Sequence, residues 1–341
     1  MRAPAAALVL LAAATTAAAD YNSDARTHAL LATLRSQYSF NDTDLAEVKA
    51  ALRQAQSLPR LIEADTNSKE KVLGWDDYRP LHISPANLAS GLRFMQEQQA
   101  WLARAQQEYG VPPEVITALL GVETKYGAYT GRFRVLDALT TLGYEHPTRA
   151  PFFFDQLTQF FVLCRDDGFA PSAPLGSYAG AMGEAQFMPS VYRSLAVDFD
   201  GDGRKDLWSA PDAIGSVANY LAHFDSARAW RPGQPLIARV RPGAAPADGL
   251  VRNAKYPDQT VSSLRAAGIE TAARIPDDTP AGLIELTRAA GPERWIGLPN
   301  FYAVMAYNPR VFYAMSVTEL AAALADARRA PPAPVTESAR Q

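Results

Sequence analysis

Apolar residues recur along much of the chain at spacings of three and four, the signature of helices that bury one face. In the run PPEVITALLGVETKYG a proline at 112 or 113 opens a helix, and Val115, Ile116, Leu119 and Leu120 form one apolar face. Glu123 lies three residues past Leu120, four past Leu119 and seven past Ile116, so the same spacing predicts a carboxylate on that face. Further helices are predicted from Asp42, as the cap, to about 57, from Ser84-Pro85 to about 107, and over 149–166. These segments suggest an all-helical N-terminal lobe. Residues 233–290 differ: short apolar runs such as PLIARV are split by Pro-Gly and by GAAPADG, and AGLIEL reads as a strand, so a small β-containing insertion is expected. From Trp295 the chain (WIGLPNFYAVMAYN) reads as aromatic and loop-like, with a final helix over about 310–327. The end, PPAPVTESARQ, is expected to be disordered, and no internal repeat is visible.

Composition narrows the classes. With 341 residues, 48% hydrophobic and 20% charged, the chain can bury a substantial core in one to three globular domains. A net charge of −3 without a long Lys/Arg run gives no electrostatic footprint for nucleic acid or for an anionic membrane surface. The start, MRAPAAALVLLAAATTAAAD, runs from one Arg through a short apolar stretch to small residues ending at Ala19. That order fits a secretory signal cleaved near Ala19, with an apolar run too short to span a bilayer; a disordered Ala-rich tail is the plainer alternative. No Cys lies near the cleavage point, so no lipid anchor is expected. The single cysteine, Cys164 in FFVLC, reads as a buried thiol and excludes an intramolecular disulfide. Export without disulfides suits a bacterial periplasm.

Two further stretches carry chemistry. DFDGDGRKDLWSAPD, residues 198–212, has Asp198, Asp200 and Asp202 at alternate positions and Gly203 at the sixth. Hard cations such as Ca²⁺ take about six to eight oxygen ligands, and this spacing turns three carboxylates inward around a glycine turn. The pattern departs at its twelfth position, Ser209, where a bidentate Glu is expected. A longer loop, closed by the Arg204 carbonyl and the Asp212 side chain, would complete the shell. Asp212 also has capping-box spacing from Ser209, ahead of a helix bearing Ile214, Val217 and Leu221. The two roles are compatible, and a plain acidic turn is the alternative to metal binding. GSYAGAMGEAQFMPS, residues 176–190, is rich in small residues until Gln186, Phe187 and Met188, which suits one wall of a cleft or a Gly/Ala packing loop.

GVETKYG, GSYAGAMGEAQFMPS, AVDFDGDGRKDLWSAPDAIGSVANYL and GLPNFYAVMAYN, in this order and at these separations, resemble the B-type family of bacterial lytic murein transglycosylases, from roughly Trp75 to Ala327. The resemblance implies a mainly α (α+β) fold with a lysozyme-like helical core, an additional helical lobe and a small β-containing domain. On that basis residues 1–19 are a signal peptide, 20–108 a helical lobe joined by the C-terminal helix 309–328, and 109–230 the catalytic core carrying the 198–212 loop. Residues 231–295 form the β-containing domain, 296–308 return to the core cleft, and 329–341 are a disordered tail. The implied reaction cleaves the β-1,4 bond between N-acetylmuramic acid and N-acetylglucosamine of peptidoglycan, leaving a 1,6-anhydromuramoyl end instead of adding water. Glycan strands are the implied partner, with other cell-wall enzymes as further candidates.

Residue by residue, Glu123 matches the family's catalytic acid and base. Ser177 and Gln186 match positions beside it, and Tyr220, Tyr302 and Tyr307 match cleft residues, with Tyr78, Phe187 and Met188 as further substrate-binding candidates. Where the family has two adjacent arginines, HPTRA has Thr148 and Arg149, which weakens the expected contact to an acidic peptide stem. Glu184 stands where an uncharged residue is expected, and a solvent-facing position is predicted for it. A carboxyl group on an apolar helix face loses hydration of its charged form and keeps its proton towards neutral pH, which suits an acid for the glycosidic oxygen. The muramoyl N-acetyl group would then stabilise the cationic centre, and the carboxylate would take the proton of the C6 hydroxyl as the ring closes. Calcium is expected to be structural. Two alternatives remain at this level: a muramidase using Glu184 or Asp137 as a second carboxylate, and a non-catalytic peptidoglycan-binding protein.

Overall fold

The computed structural model describes residues 21–67, 73–243, 246 and 248–329; the expected signal segment and the Pro/Ala-rich end from 330 onward lie outside them. The chain opens with six helices, α1 (Ala25–Tyr38), α2 (Asp42–Gln54), α3 (Arg60–Thr66), α4 (Trp75–His82), α5 (Pro85–Glu97) and α6 (Gln99–Tyr109). The cap of α2 is Asn41, one residue earlier than predicted: its side chain accepts the Asp44 N–H while the Asp44 carboxylate accepts the Asn41 N–H. The single helix predicted over 84–107 is two helices, because Gln98 leaves helical geometry (φ −103°, ψ 19°). The break lets α5 bury Phe94 and Met95 while α6 buries Leu102 and Ala105.

The central part comprises α7 (Pro113–Thr124), β1 (Phe133–Arg134), α8 (Val135–Glu145), α9 (Ala150–Asp167), β2 (Leu175–Gly176), α10 (Pro189–Leu195) and α11 (Ala210–His223). Every residue of α7 from Val115 to Gly121 is buried, so this helix is a rod through the core and not a half-exposed amphipathic one. One continuous hydrophobic cluster runs from Tyr21 through this part to Leu324, and α1 and α3 pack directly on α9 and α8. The first six helices therefore share the core of the central part.

The insertion forms an antiparallel sheet in the order β3 (Ile237–Arg239), β6 (Glu293–Gly297), β5 (Pro280–Leu286), β4 (Gln259–Thr260), with α12 (Val261–Ala266) against β4 and β5. The predicted AGLIEL strand is β5. This sheet has a separate small core that includes Val261, Leu264, Leu283 and Ile296. After β6 the segment read as loop-like is a helix, α13 (Pro299–Tyr307), buried from Pro299 to Met305. A helix apolar on all sides carries no amphipathic period, and only Pro299 at its first turn marks it. The last helix, α14 (Val311–Arg329), lies along α7 and also touches α4, α5 and α13.

Candidate active site

Glu123 sits in the last turn of α7, partly exposed, where the rod emerges from the core. The three residues that end this helix, Lys125 (φ 50°), Tyr126 (φ 61°) and Gly127 (φ 81°), are all left-handed. Two of them bear a Cβ, a conformation that costs about 1–2 kcal/mol each and persists only where surroundings hold it. They are held as follows. The Lys125 and Tyr126 N–H groups donate to the carbonyls of Gly121 and Leu120. Tyr126 folds back over α7, where a Cβ on Gly121 would stand 2.7 Å from its ring, and its hydroxyl donates to the Asn87 carbonyl at 3.0 Å. Thr124 Oγ1 accepts the Gly127 N–H and donates to the Glu184 carbonyl, both at 3.0 Å, which ties the end of the helix to the small-residue loop.

That loop is clamped at the next two residues as well: the Ala185 carbonyl accepts the Tyr307 hydroxyl, and the Gln186 side-chain amide donates to the Thr130 and Gly183 carbonyls. Gln186 is itself left-handed (φ 51°), so its amide nitrogen holds the loop and its carbonyl oxygen is the end suited to a ligand. Ser177 accepts the N–H groups of Ala179 and Ala181, leaving its own hydroxyl proton for donation.

Aromatic rings form a row that leads to the carboxylate. Tyr313, in the first turn of α14, is buried and donates its hydroxyl to Glu123 Oε1. Tyr307 is nearly parallel to it, centroids 6.5 Å apart, and Tyr220 is 4.5 Å beyond Tyr307. Phe187 backs both, at 5.8 and 5.6 Å. Burial pushes the phenols of Tyr307 and Tyr313 well above their ordinary range, and the nearby Glu123 charge pushes the same way, so both stay protonated donors. Tyr313 had no signal in the sequence, since it joins the site only because α14 lies along α7.

Other predicted residues stand apart. Tyr302 is fully buried, with its hydroxyl against Gly282 of β5, and so lies between α13 and the small sheet and not at the cleft. It is five residues before Tyr307, which on a helix puts the two about 140° apart. Tyr78 is buried among Trp75, His82 and Phe312, near enough to Tyr313 to raise its pKa further. Phe187 is likewise buried, supporting the tyrosines from behind, while Met188 caps α10 and stays partly exposed. Arg149 is ion-paired to Asp65 at 2.5 Å and lies over Phe153, so it fastens α3 to the start of α9.

Neither suggested second carboxylate takes that role. Asp137 holds Arg134 through both oxygens and accepts the Gln56 N–H. Glu184 does not face solvent: its side chain packs against Gly127, where a Cβ would meet Oε1 at 2.6 Å, and its Oε2 is enclosed without a protein partner. Burial, with the nearby Asp206 charge, pushes its pKa from the ordinary 4.5 to about 7. A carboxyl so raised binds its proton more tightly in the folded state, so stability should fall as pH rises from about 4.5 to about 7. Melting temperatures across that window should decline less steeply in Glu184→Gln; identical slopes would contradict the assignment.

In the 198–212 loop, Asp198 accepts the N–H groups of Gly201, Asp202 and Gly203, and Asp212 those of Phe199, Asp200 and Asp206. Asp198, Asp200 and Asp212 each bring a carboxylate oxygen within 4.8 Å of the others. Asp202 is outside that group and accepts the Arg204 N–H. Ser209 is the N-cap of α11 but its side chain makes no cap bond, so the capping-box reading fails: Asp212 is turned into the loop instead. Burial pushes the Asp212 carboxyl above its ordinary range despite its N–H donors. Three converging carboxylates are the donor set a hard cation takes.

Residues 26–322 match the family described as the transglycosylase SLT domain. The membrane-bound lytic murein transglycosylase B of Escherichia coli K12 is 40% identical over 299 residues, 86% of this chain and 81% of that one. The catenated lytic transglycosylase SltB1 of Pseudomonas aeruginosa superposes with a TM-score of 0.84 at 38% identity, covering 91% of this chain and all of that one. The E. coli lytic transglycosylase SLT35 in complex with calcium does so at 0.80 and 36%, covering 91% of this chain and 95% of that one. Among the described residues no helix is long and apolar enough to cross a membrane. With the family match running through nearly all of the described helices, the chain belongs to the transglycosylase SLT domain family, as a lytic transglycosylase.

Proposed function

We propose that the protein cleaves the β-1,4 bond between N-acetylmuramic acid and N-acetylglucosamine in peptidoglycan and closes a 1,6-anhydromuramoyl ring, with Glu123 as its one acid and base. The observation that carries this is the carboxylate arrangement: Glu123 is oriented by Tyr313 at the ring-lined end of α7, while Asp137 is consumed by Arg134 and Glu184 is enclosed against Gly127. Most hydrolases of either stereochemistry use two carboxylates flanking the bond. Here one group acts twice. Protonated Glu123 gives its proton to the glycosidic oxygen as the bond to the anomeric carbon breaks, releasing the N-acetylglucosamine hydroxyl. The carboxylate then takes the C6 hydroxyl proton as that oxygen bonds to the same carbon, so no water enters. Sacculi should release soluble fragments that borohydride fails to reduce at muramic acid; reducible muramic ends would mean hydrolysis.

Tyr313 is a positioning residue, since its hydroxyl fixes Glu123 Oε1. Hydrogen bonds to charged groups contribute about 1.5–3 kcal/mol, so Tyr313→Phe should lower kcat by about 10- to 100-fold with little change in KM. An unaltered kcat would remove Tyr313 from this role. Ser177, Gln186, Met188 and the exposed part of Tyr307 supply polar and apolar contacts to the sugars, with Tyr220, Phe187 and Tyr78 as support.

Asp198, Asp200 and Asp212 would hold Ca²⁺, with Asp202 and the Arg204 carbonyl as further oxygens; the SLT35 complex with calcium supports the choice of ion. The ion supplies counter-charge that fixes the loop on α11, which carries Tyr220. The order of features in residues 1–19 supports export to a bacterial periplasm, where glycan strands are met.

A further inference from the structure

The row of rings does not stop at Tyr220. Phe224, at the end of α11, lies 4.3 Å from Tyr220 and nearly parallel to it (12°), yet 43% of Phe224 remains exposed. One face of its ring is packed on Tyr220 while much of the side chain meets solvent. Next in the chain, Asp225 holds Arg228 at 2.7 Å, and the Arg228 guanidinium covers the ring of Tyr256 from 4.4 Å. Tyr256 belongs to the small β-containing domain and is 56% exposed, again with one face covered. The Tyr220 hydroxyl feels Glu123 on the one hand and the Asp225–Arg228 pair on the other, which puts both within electrostatic reach of one phenol. Large apolar side chains left open near one another mark an interaction surface.

We propose that Phe224 and Tyr256 form a distal saccharide subsite, two ring platforms that hold sugars of the same glycan strand beyond those at the cleaved bond. The occupant follows from continuity and chemistry. The platforms extend a row of aromatics that ends at Glu123, and a polymeric substrate must leave the cleft along some surface. A pyranose presents a face of C–H groups, which packs on an open aromatic face through dispersion and the ring's negative potential. Asp225 and Arg228, already paired to each other, set the platform's position and offer polar edges to hydroxyl and acetamido groups. The inference rests on the glycan-cleaving reading above and adds a preference for long strands.

The test compares kcat/KM on long peptide-free glycan strands with kcat/KM on a tetrasaccharide, for the wild type, Phe224→Ala, Tyr256→Ala and the ring-preserving Phe224→Trp and Tyr256→Phe. Each alanine variant should lose about tenfold more on the long strands than on the tetrasaccharide, through KM, and the ring-preserving variants should recover most of the loss. Equal losses on both substrates, or none on the long strands, would overturn the subsite. Among the described residues the Tyr256 ring is covered by Arg228 and joins no ring pair of the Glu123 row, so its variants decide the matter even if Phe224→Ala disturbs Tyr220. A wild type that cleaves neither substrate would overturn the functional reading itself, whereas cleavage with an unchanged ratio would overturn only the subsite.

Discussion

Glu123→Gln is expected to reduce release of soluble muropeptides from sacculi by about a thousandfold or more, because general acid–base assistance contributes about 10²–10⁴ and one residue here supplies both steps. The amide keeps the shape of the side chain and can still accept the Tyr313 hydroxyl through its oxygen, so the melting temperature should stay within about 2 °C of the wild type. Rates of fragment release and a thermal melt on the same preparation check both halves. Residual activity within about tenfold of the wild type would mean that another group protonates the leaving oxygen, and Glu184 would be the first to test.

The second large effect lies in the 198–212 loop. Asp212 is almost wholly buried and answers three backbone N–H groups. Asp212→Ala strips the partners from all of them; the Phe199 bond is buried and the other two are partly so, and with about 1–3 kcal/mol for a stranded buried donor a loss of about 2–4 kcal/mol is expected. The same change removes an oxygen from the cation set. Millimolar Ca²⁺ should raise the wild-type melting temperature by about 5 °C over a chelator, as about 2.7 kcal/mol of linkage at a hundredfold excess over Kd implies, and should do little for Asp212→Ala. Equal melting temperatures in Ca²⁺ and chelator for the wild type would contradict the cation reading; an equal Ca²⁺ response in the variant would contradict Asp212 as a ligand.

Local patterns in the chain predicted whatever depends on near neighbours. Ser84-Pro85 opens α5, the 149–166 helix is α9, AGLIEL is β5, and Asp198 and Asp200 converge with Asp212 while Asp202 stands apart. Features that depend on distant segments were not legible. Gln98 breaks a helix because α5 and α6 bury different partners, a decision made by the core and not by propensity. The helix over Pro299–Tyr307 was hidden because a fully buried helix has no polar face to set a period. That one misreading explains the fate of Tyr302, which counts as a neighbour of Tyr307 in an irregular segment but turns to another side once the segment is helical. A surface position is expected for Glu184 because unpaired buried carboxylates are uncommon, yet the left-handed turn at 125–127 lays Gly127 over it. Tyr313 shows the limit most plainly: its partner in the chain is 190 residues away, and only the packing of α14 along α7 introduces them.

The most direct measurement of the central claim is mass spectrometry of soluble muropeptides released from purified sacculi by the mature protein in heavy-oxygen water. Single-carboxylate ring closure predicts products one water lighter than muramidase products, with no heavy oxygen incorporated. Full-mass reducing ends carrying heavy oxygen would contradict it and make the protein a hydrolase.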